Sequence, residues 1–508
     1  MEQGMKDMTI KRRVFHWIRH NFYFFIFGVL CILWFLFRTG TKPSRVEYPC
    51  QQASIAGANL WMAVYLLPLV SIVRSNGNGR RQTARLLGAG IIVAFLIIGI
   101  VYFFGGLNSE SMTAGLSPSM TGSVFTGKIK GTNTTSDIFV VNGTSGNDGG
   151  VYQLLNLMER KGTHFYATGN RTDNTGLIAK DDIVIIKVNG QWNERGGTNT
   201  DLVKSLIQAI VDHPDGFTGE IIVADNGQAQ YGATGTGGNL NYTKNNAEDR
   251  SQSLALVTES FSGTHRVSTY LWDTITTKRV YEYAKGDMND GYIVNETPNP
   301  RTRILVSYPK FRTQYGTYVS FKKGIWNPEK RAYDEDRLKI INVPVLKTHG
   351  IYGVTASVKN YMGVPSDVLT AQMGSRAHST IGNGGMGTEM AETRFPVITI
   401  LDAIWINAIP KKGPRTPYEI ATQANMIAAS TDPVALDFWA AQNILIPTAK
   451  SQGWFDVSSM DPENNSPGKF GNWLRLSMME LRGAGYRTTI DKNAMNVYFV
   501  QNPHQGGA

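Results

Sequence analysis

Residues 342–363 read NVPVLKTHGIYGVTASVKNYMG. An apolar run ends in Lys347, Thr348 and His349; a glycine-bracketed turn follows, and then Thr355, Ser357, Lys359 and Asn360. On an extended chain alternate side chains share a face, so Lys347 and His349 point the same way. A helix starting near Thr355 would put Thr355 and Lys359 one turn apart on one face. Lys347, His349 and Lys359 can then converge. Lysines brought together repel unless something negative sits between them: a carboxylate, a phosphate or an acidic side chain from elsewhere. A histidine there suits acid–base work or metal ligation, and the lysines suit balancing the charge of a substrate. The competing reading is structural, with Lys347 and Lys359 in ion pairs and His349 a hydrogen-bonded rim residue.

Two further stretches carry polar residues at comparable places. KVNGQWNERGGTNTD, residues 187–201, follows a strand with a glycine-rich loop, and Asn199 or Thr200 can cap a helix. Free amides at that helix start suit an anion, which makes Asn189, Gly197, Thr198, Asn199 and Thr200 candidate ligand-binding residues. The loop lacks the Gly-Lys-Ser/Thr of a P-loop and the dinucleotide fingerprint. In AASTDPVALDFWAAQ, residues 428–442, Thr431 is the expected cap, with Asp432 and Pro433 in the first turn. Asp437 lies deeper on an apolar helix, where a carboxylate needs a partner; one of the lysines is a candidate. The expected site therefore has Lys347, His349, Lys359 and Asp437 as its catalytic group, with Asn360 and Asp432 among the binding residues. Asp225 and Asn226 end another strand, Asp402 lies within one, and His378 sits in a glycine-rich stretch. These residues specify no particular metal or cofactor.

The elements that must position them alternate. Strand-like runs at 137–143, 181–190, 219–227, 303–308, 338–349 and 395–406 are interleaved with amphipathic helical runs at 149–162, 200–213 and 247–263. Continuous β-branched strands between such helices predict an α/β domain with a mostly parallel sheet and helices on both faces. Ligands in such sheets collect outside the carboxyl ends of the strands. The domain is expected over 137–508, with an irregular part around 264–300, after a Gly/Ser/Thr/Met-rich linker at 105–136.

Ahead of the linker the composition changes. Runs of 17, 21 and 19 residues at 21–37, 53–73 and 86–104 contain no charged side chain. About 20 apolar residues cross a bilayer as a helix, so 1–104 is expected to be a module of three transmembrane helices. Residues 1–85 hold 12 Lys/Arg against 3 acids, nearly all of the formal charge of +10. That leaves the main domain close to neutral and argues against nucleic acid as a partner. Lys11, Arg12, Arg13 and Arg19 precede the first run, and Arg74, Arg80, Arg81 and Arg85 lie between the second and third. Both clusters belong on the cytoplasmic side. The reading is a multi-pass protein of the cell membrane, the lipid bilayer its partner, with the main domain outside the cytoplasm. The two cysteines, Cys31 and Cys50, both precede that domain. This excludes a cysteine-ligated iron–sulfur cluster, a thiolate nucleophile and a disulfide framework within it.

NVPVLKTHGIYGVTASVKNYMG, STDPVALDFWA and IKVNGQWNERGGTNTDLVKSLI together resemble the family catalogued as domain of unknown function 362. Its members show a hydrophobic strand ending Leu-Lys-Thr-His, a Lys-Asn-Gly segment, and a later Ser-Thr-Asp-Pro-Val-Ala-x-Asp. The resemblance spans residues 181–443. Some members carry iron–sulfur modules, an association that does not transfer to a domain without cysteine. A looser similarity is to lactate racemase-like enzymes, which bear a nickel pincer cofactor; Lys347, His349, Gly353 and Lys359 match their pattern. Two functions follow as expectations. One is an enzyme acting on an anionic small molecule or envelope component through the Lys/His cluster, with metal assistance as an option. The other is a non-catalytic module that binds an anion or a partner within a membrane complex. The topology is testable first: a reporter active only in the cytoplasm, fused after Ala508, is expected to stay silent, and activity there would remove the middle crossing.

Overall fold

Strands here owe their two-sided burial to unbroken apolar runs. In β2 (Ile183–Lys187) Ile183 and Ile185 enter one core, while Val184 and Ile186 enter another. The same alternation runs through β1 (Ser136–Asn142) and β3 (Glu220–Asp225). Side chains of period two project to opposite faces, so these runs need cover on both sides. The structure, a computed structural model, describes residues 135–169, 176–228 and 238–503. All belong to the second of the chain's two units, Ser119–Ala508.

The remaining strands of the ten-stranded sheet are β4 (Val267–Leu271), β5 (Leu338–Asn342), β6 (Val345–His349), β7 (Gly353–Thr355), β8 (Ile398–Asn407), β9 (Thr422–Ser430) and β10 (Met495–Gln501). The order is β10-β1-β9-β8-β5-β2-β3-β4, with β6 and β7 attached beyond β8. All neighbours on the main path run parallel except β9, which opposes both β1 and β8. One face is covered by α1 (Gly150–Arg160), α2 (Thr200–Val211) and α3 (Leu254–Ser262). The other packs against α5 (Gly385–Glu392), α6 (Pro433–Ala440) and α7 (Phe470–Gly483), which follow the one-turn α4 (Ser357–Asn360).

The expected mostly parallel α/β sheet is therefore present, with three corrections. The run at 303–308 does not enter it. Ser307–Arg312 instead lies in a separate five-stranded antiparallel sheet with Gly291–Val294, Tyr318–Ser320, Gly324–Asn327 and Ala332–Asp334. Tyr308 and Phe311 of this sheet belong to the same core cluster as α5–α7. The single strand expected at 338–349 is broken at Pro344, which cannot donate to a ladder. β5 pairs with β2 up to Asn342, and Val343 N–H reaches the Lys187 carbonyl at 2.8 Å. Beyond Pro344 the chain leaves β2 and continues along β8 as β6, doubling back as β7. The helix expected from 247 begins at Leu254, capped by the Ser253 hydroxyl.

Among the described residues no helix is long and apolar enough to cross a membrane. The three uncharged runs at 21–37, 53–73 and 86–104 lie outside the described residues, as does most of the linker.

The cap of α6 is Asp432, not Thr431. Its carboxylate accepts from Val434 N and Ala435 N at 2.9 and 3.0 Å, from Ser136 Oγ at 2.6 Å and from Thr489 N at 2.7 Å. One buried side chain thus ties α6 to the start of β1 and to the approach to β10. Asp432→Ala removes the cap and strands the Thr489 amide. Urea unfolding is expected to show a loss of about 2–4 kcal/mol; a loss within the noise would mean the three elements are held otherwise.

Candidate functional site

β2 and β3 are parallel neighbours, and their last residues are Lys187 and Asp225. Lys187 Nζ lies 2.6 Å from Asp225 Oδ1, both groups buried. Nζ also donates to the Val188 carbonyl at 2.8 Å, and Asp225 Oδ2 accepts from Gly190 N at 2.7 Å. Burial pushes the lysine's pKa down and the carboxyl's up, while the pairing opposes both shifts. Gly363 closes over the pair. A Cβ there would stand 2.0 Å from Asp225 Oδ1 and 2.5 Å from Lys187 Nζ, so only glycine fits.

Lys347 and His349 leave β6 at the same edge. Lys347 is fully buried and donates to the Gly196 carbonyl, which staples the loop after β2 to β6. Burial, then the charge of Lys359, holds its pKa well below the ordinary range. His349 Nδ1 accepts from Ile351 N and Tyr352 N, each at 3.1 Å. The neutral ring therefore carries its proton on Nε2. Burial, followed by Lys359, His378 and Lys347, keeps this imidazole from protonating in the usual range. The rings of Tyr352, His349 and His378 form a triangle, with centroids 5.3 Å from Tyr352 to each histidine and 6.1 Å between the histidines. The Tyr352 hydroxyl donates to the His378 carbonyl at 2.8 Å.

Lys359 differs from the other two lysines. It is 6% exposed, and its Nζ sits 5.8 Å from the Tyr352 ring centroid. Among the described residues its Nζ makes no hydrogen bond or ion pair. Burial, then the charge of Lys187, lowers its pKa to about 7, with Asp367 opposing. Asp367 is itself held by Arg376 Nε at 2.7 Å and His378 N at 2.8 Å. A shift from 10.5 to about 7 corresponds to roughly 5 kcal/mol against the charged form. Lys359 lines a cavity of about 300 Å³ together with Lys187, Asn189, Asp225, Thr355 and Asn360. Thr355 Oγ1 and Asn189 Oδ1 are buried without a hydrogen-bond partner among the described residues. Such atoms are costly unless something arrives to bond them.

The expected site residues thus separate. Lys359, Asn189 and Asn360 line the cavity. His349 shares the Tyr352 ring with Lys359, and Lys347 lies sealed beside them. Asp437 meets no lysine. It accepts from Ser357 N at 2.6 Å and Val358 N at 2.9 Å, so it anchors the start of α4, and burial raises its pKa to about 7. Thr198 Oγ1 accepts from Asn189 N and donates to the Val343 carbonyl. Asn199 caps α2 through Asp201 N and Leu202 N, and its own amide goes to Asp402. The amides of Thr198, Asn199, Asp201 and Leu202 are therefore bonded within the protein. Gly197, Thr198 and Thr200 line a neighbouring cavity of about 270 Å³. Asp432 lines neither cavity. Lys187 and Tyr352 join the site without having been singled out for it, and Thr355 and Asp225, noted at a helix start and a strand end, join it as well. Two β-branched strands ending in a lysine and an aspartate were the available signal.

Among the described residues no three His, Cys, Asp or Glu side chains gather as a metal site. Lys347, bonded to a carbonyl and absent from the cavity wall, does not fit a cofactor bound between it and His349.

An unpaired buried cation predicts an unusual variant. The folded pKa of Lys359 lies below its unfolded value, so its charge opposes folding below pH 7, and the penalty fades as pH rises from about 7 to 10.5. Lys359→Met is expected to raise the unfolding free energy by about 1–4 kcal/mol at pH 6, with the gain shrinking toward pH 10. A collapse of the variant in thermal melts at both pH values would show a structural partner instead.

No curated protein and no solved structure matches the chain. Residues 331–442, which contain Lys347, His349, Lys359 and Asp437, match the family described as Domain of unknown function (DUF362).

Proposed function

We propose that the cavity at the ends of β2 and β3 binds an anionic small molecule, and that Lys359 takes up its charge. The observation that carries this reading is the buried, unpaired Lys359 amine on the cavity wall, with the Lys187–Asp225 pair behind it. An anion would bring the partner that Lys359 lacks, and the free Thr355 hydroxyl could donate to it. His349, a neutral imidazole with Nε2–H outward from its backbone contacts, supplies a proton donor beside the same aromatic ring. Those groups suit an enzyme that stabilises developing negative charge and moves one proton. Binding without turnover needs only the lysine. The uncharged runs and basic clusters of residues 1–104 support placing this domain on a multi-pass membrane anchor, outside the cytoplasm, where an envelope component is a suitable substrate.

Sulfate tests the reading, because it stays divalent across the relevant pH range. Calorimetric titration of the protein is expected to show binding that strengthens as pH falls from 9 to 7 and levels off below, following protonation of Lys359. His349 and His378 stay neutral through that window. The expected change is up to about tenfold per pH unit for one coupled proton. Binding that ignores pH, or persists unchanged in Lys359→Met, would remove Lys359 from the site.

A further inference from the structure

We propose that Lys359 is a nucleophilic amine that condenses with the carbonyl carbon of a small oxo acid to form a protein-bound imine. The proposal rests on the anion-site reading and names its ligand class. Three lysines are buried here, and two are spent: Lys187 on Asp225 and the Val188 carbonyl, Lys347 on the Gly196 carbonyl. Of these three, Lys359 alone presents on the cavity wall an Nζ with no hydrogen bond or ion pair among the described residues.

A lysine attacks carbon through the lone pair of its neutral form, and an amine is kept neutral by removal from water and by a neighbouring cation. Both conditions hold. Lys359 is 6% exposed, the charge that acts on it most strongly is that of Lys187, and no carboxylate stands within ion-pair distance among the described residues. The Tyr352 ring on one side orders the side chain without taking its lone pair.

The step balances without an oxidant. The nitrogen lone pair forms the N–C bond, and the carbonyl π pair moves to oxygen, which takes one proton from solvent water to give a protonated carbinolamine. The C–O bond then breaks, and the oxygen leaves as water with the second proton from nitrogen. Thr355 Oγ1, buried and unpaired, is placed to hydrogen-bond the oxygen that changes from carbonyl to hydroxyl. The protonated imine keeps the positive charge of the site. A carboxylate on the same ligand balances it, which selects an oxo acid over a plain aldehyde or ketone. The crowded polar lining of the cleft, with Lys187, Asn189, Thr355 and Asn360 around Lys359, favours a small one.

The experiment is reductive trapping on the full-length protein. Pyruvate and sodium cyanoborohydride are added at pH 7, and lysine-containing peptides are mapped by mass spectrometry. Lys359 is expected to carry the reduced adduct about tenfold or more above exposed lysines, to favour pyruvate over acetone, and to be protected by sulfate. Modification confined to exposed lysines would overturn the proposal. If sulfate still binds in that case, the anion site stands and only the amine chemistry falls; if sulfate does not bind, both fall. Equal trapping of acetone would overturn the assignment to oxo acids.

Discussion

The contact between Lys187 and Asp225 organises this end of the molecule. Each residue ends a strand after a run of apolar residues, Ile183–Ile186 and Ile221–Ala224, and the two strands are parallel neighbours, so both charges arrive at the same end of the sheet. A single charge there would be prohibitively costly to bury, whereas a hydrogen-bonded pair is tolerated. Several features depend on the pair. Gly190 donates to it, which shapes the loop after β2. Gly363 must approach it without a side chain, which fixes the course of the chain after α4. Through that segment the pair also sets where Lys359 can stand.

The lysines around the pair are not equivalent. Lys347 trades its charge for a structural bond to the Gly196 carbonyl, and Lys187 has its aspartate. Lys359 is left with an aromatic face and a cavity. Concentrating positive charge away from water is unfavourable for folding, and proteins retain such arrangements where function needs them. Asp437 explains how α4 endures it: the carboxylate grips the first two amides of that turn, so the backbone carrying Lys359 is anchored independently of its side chain.

The break at Pro344 gives the site its room. Had residues 338–349 formed one straight strand, β6 would have stayed alongside β2 and its extension. Instead the chain follows β8, and β7 and α4 fold back beside the ends of β2 and β3. Here a local property of proline, the missing N–H, has a consequence for the whole edge of the sheet.

Local periodicity was enough to read the α/β class, the strands expected at 137–143, 181–190 and 219–227, and the first two helices, because burial on both faces leaves an unbroken apolar run. It also pointed to Lys347, His349 and Lys359, since charges closing apolar segments need a reason. It did not tell which sheet the run at 303–308 would join, because an apolar strand pairs with whichever edge the fold presents. Nor did it tell which group would meet Asp437. A buried carboxylate demands donors, but a lysine and a pair of backbone amides satisfy it equally well on paper, and only the packing of α6 against α4 brought the amides. By itself the sequence determined which segments must be buried and which charges require partners, both consequences of the cost of exposing apolar and burying polar groups. The tertiary structure alone decided which charge took which partner, and so which lysine of the site, Lys359, was left with no hydrogen bond or ion pair among the described residues.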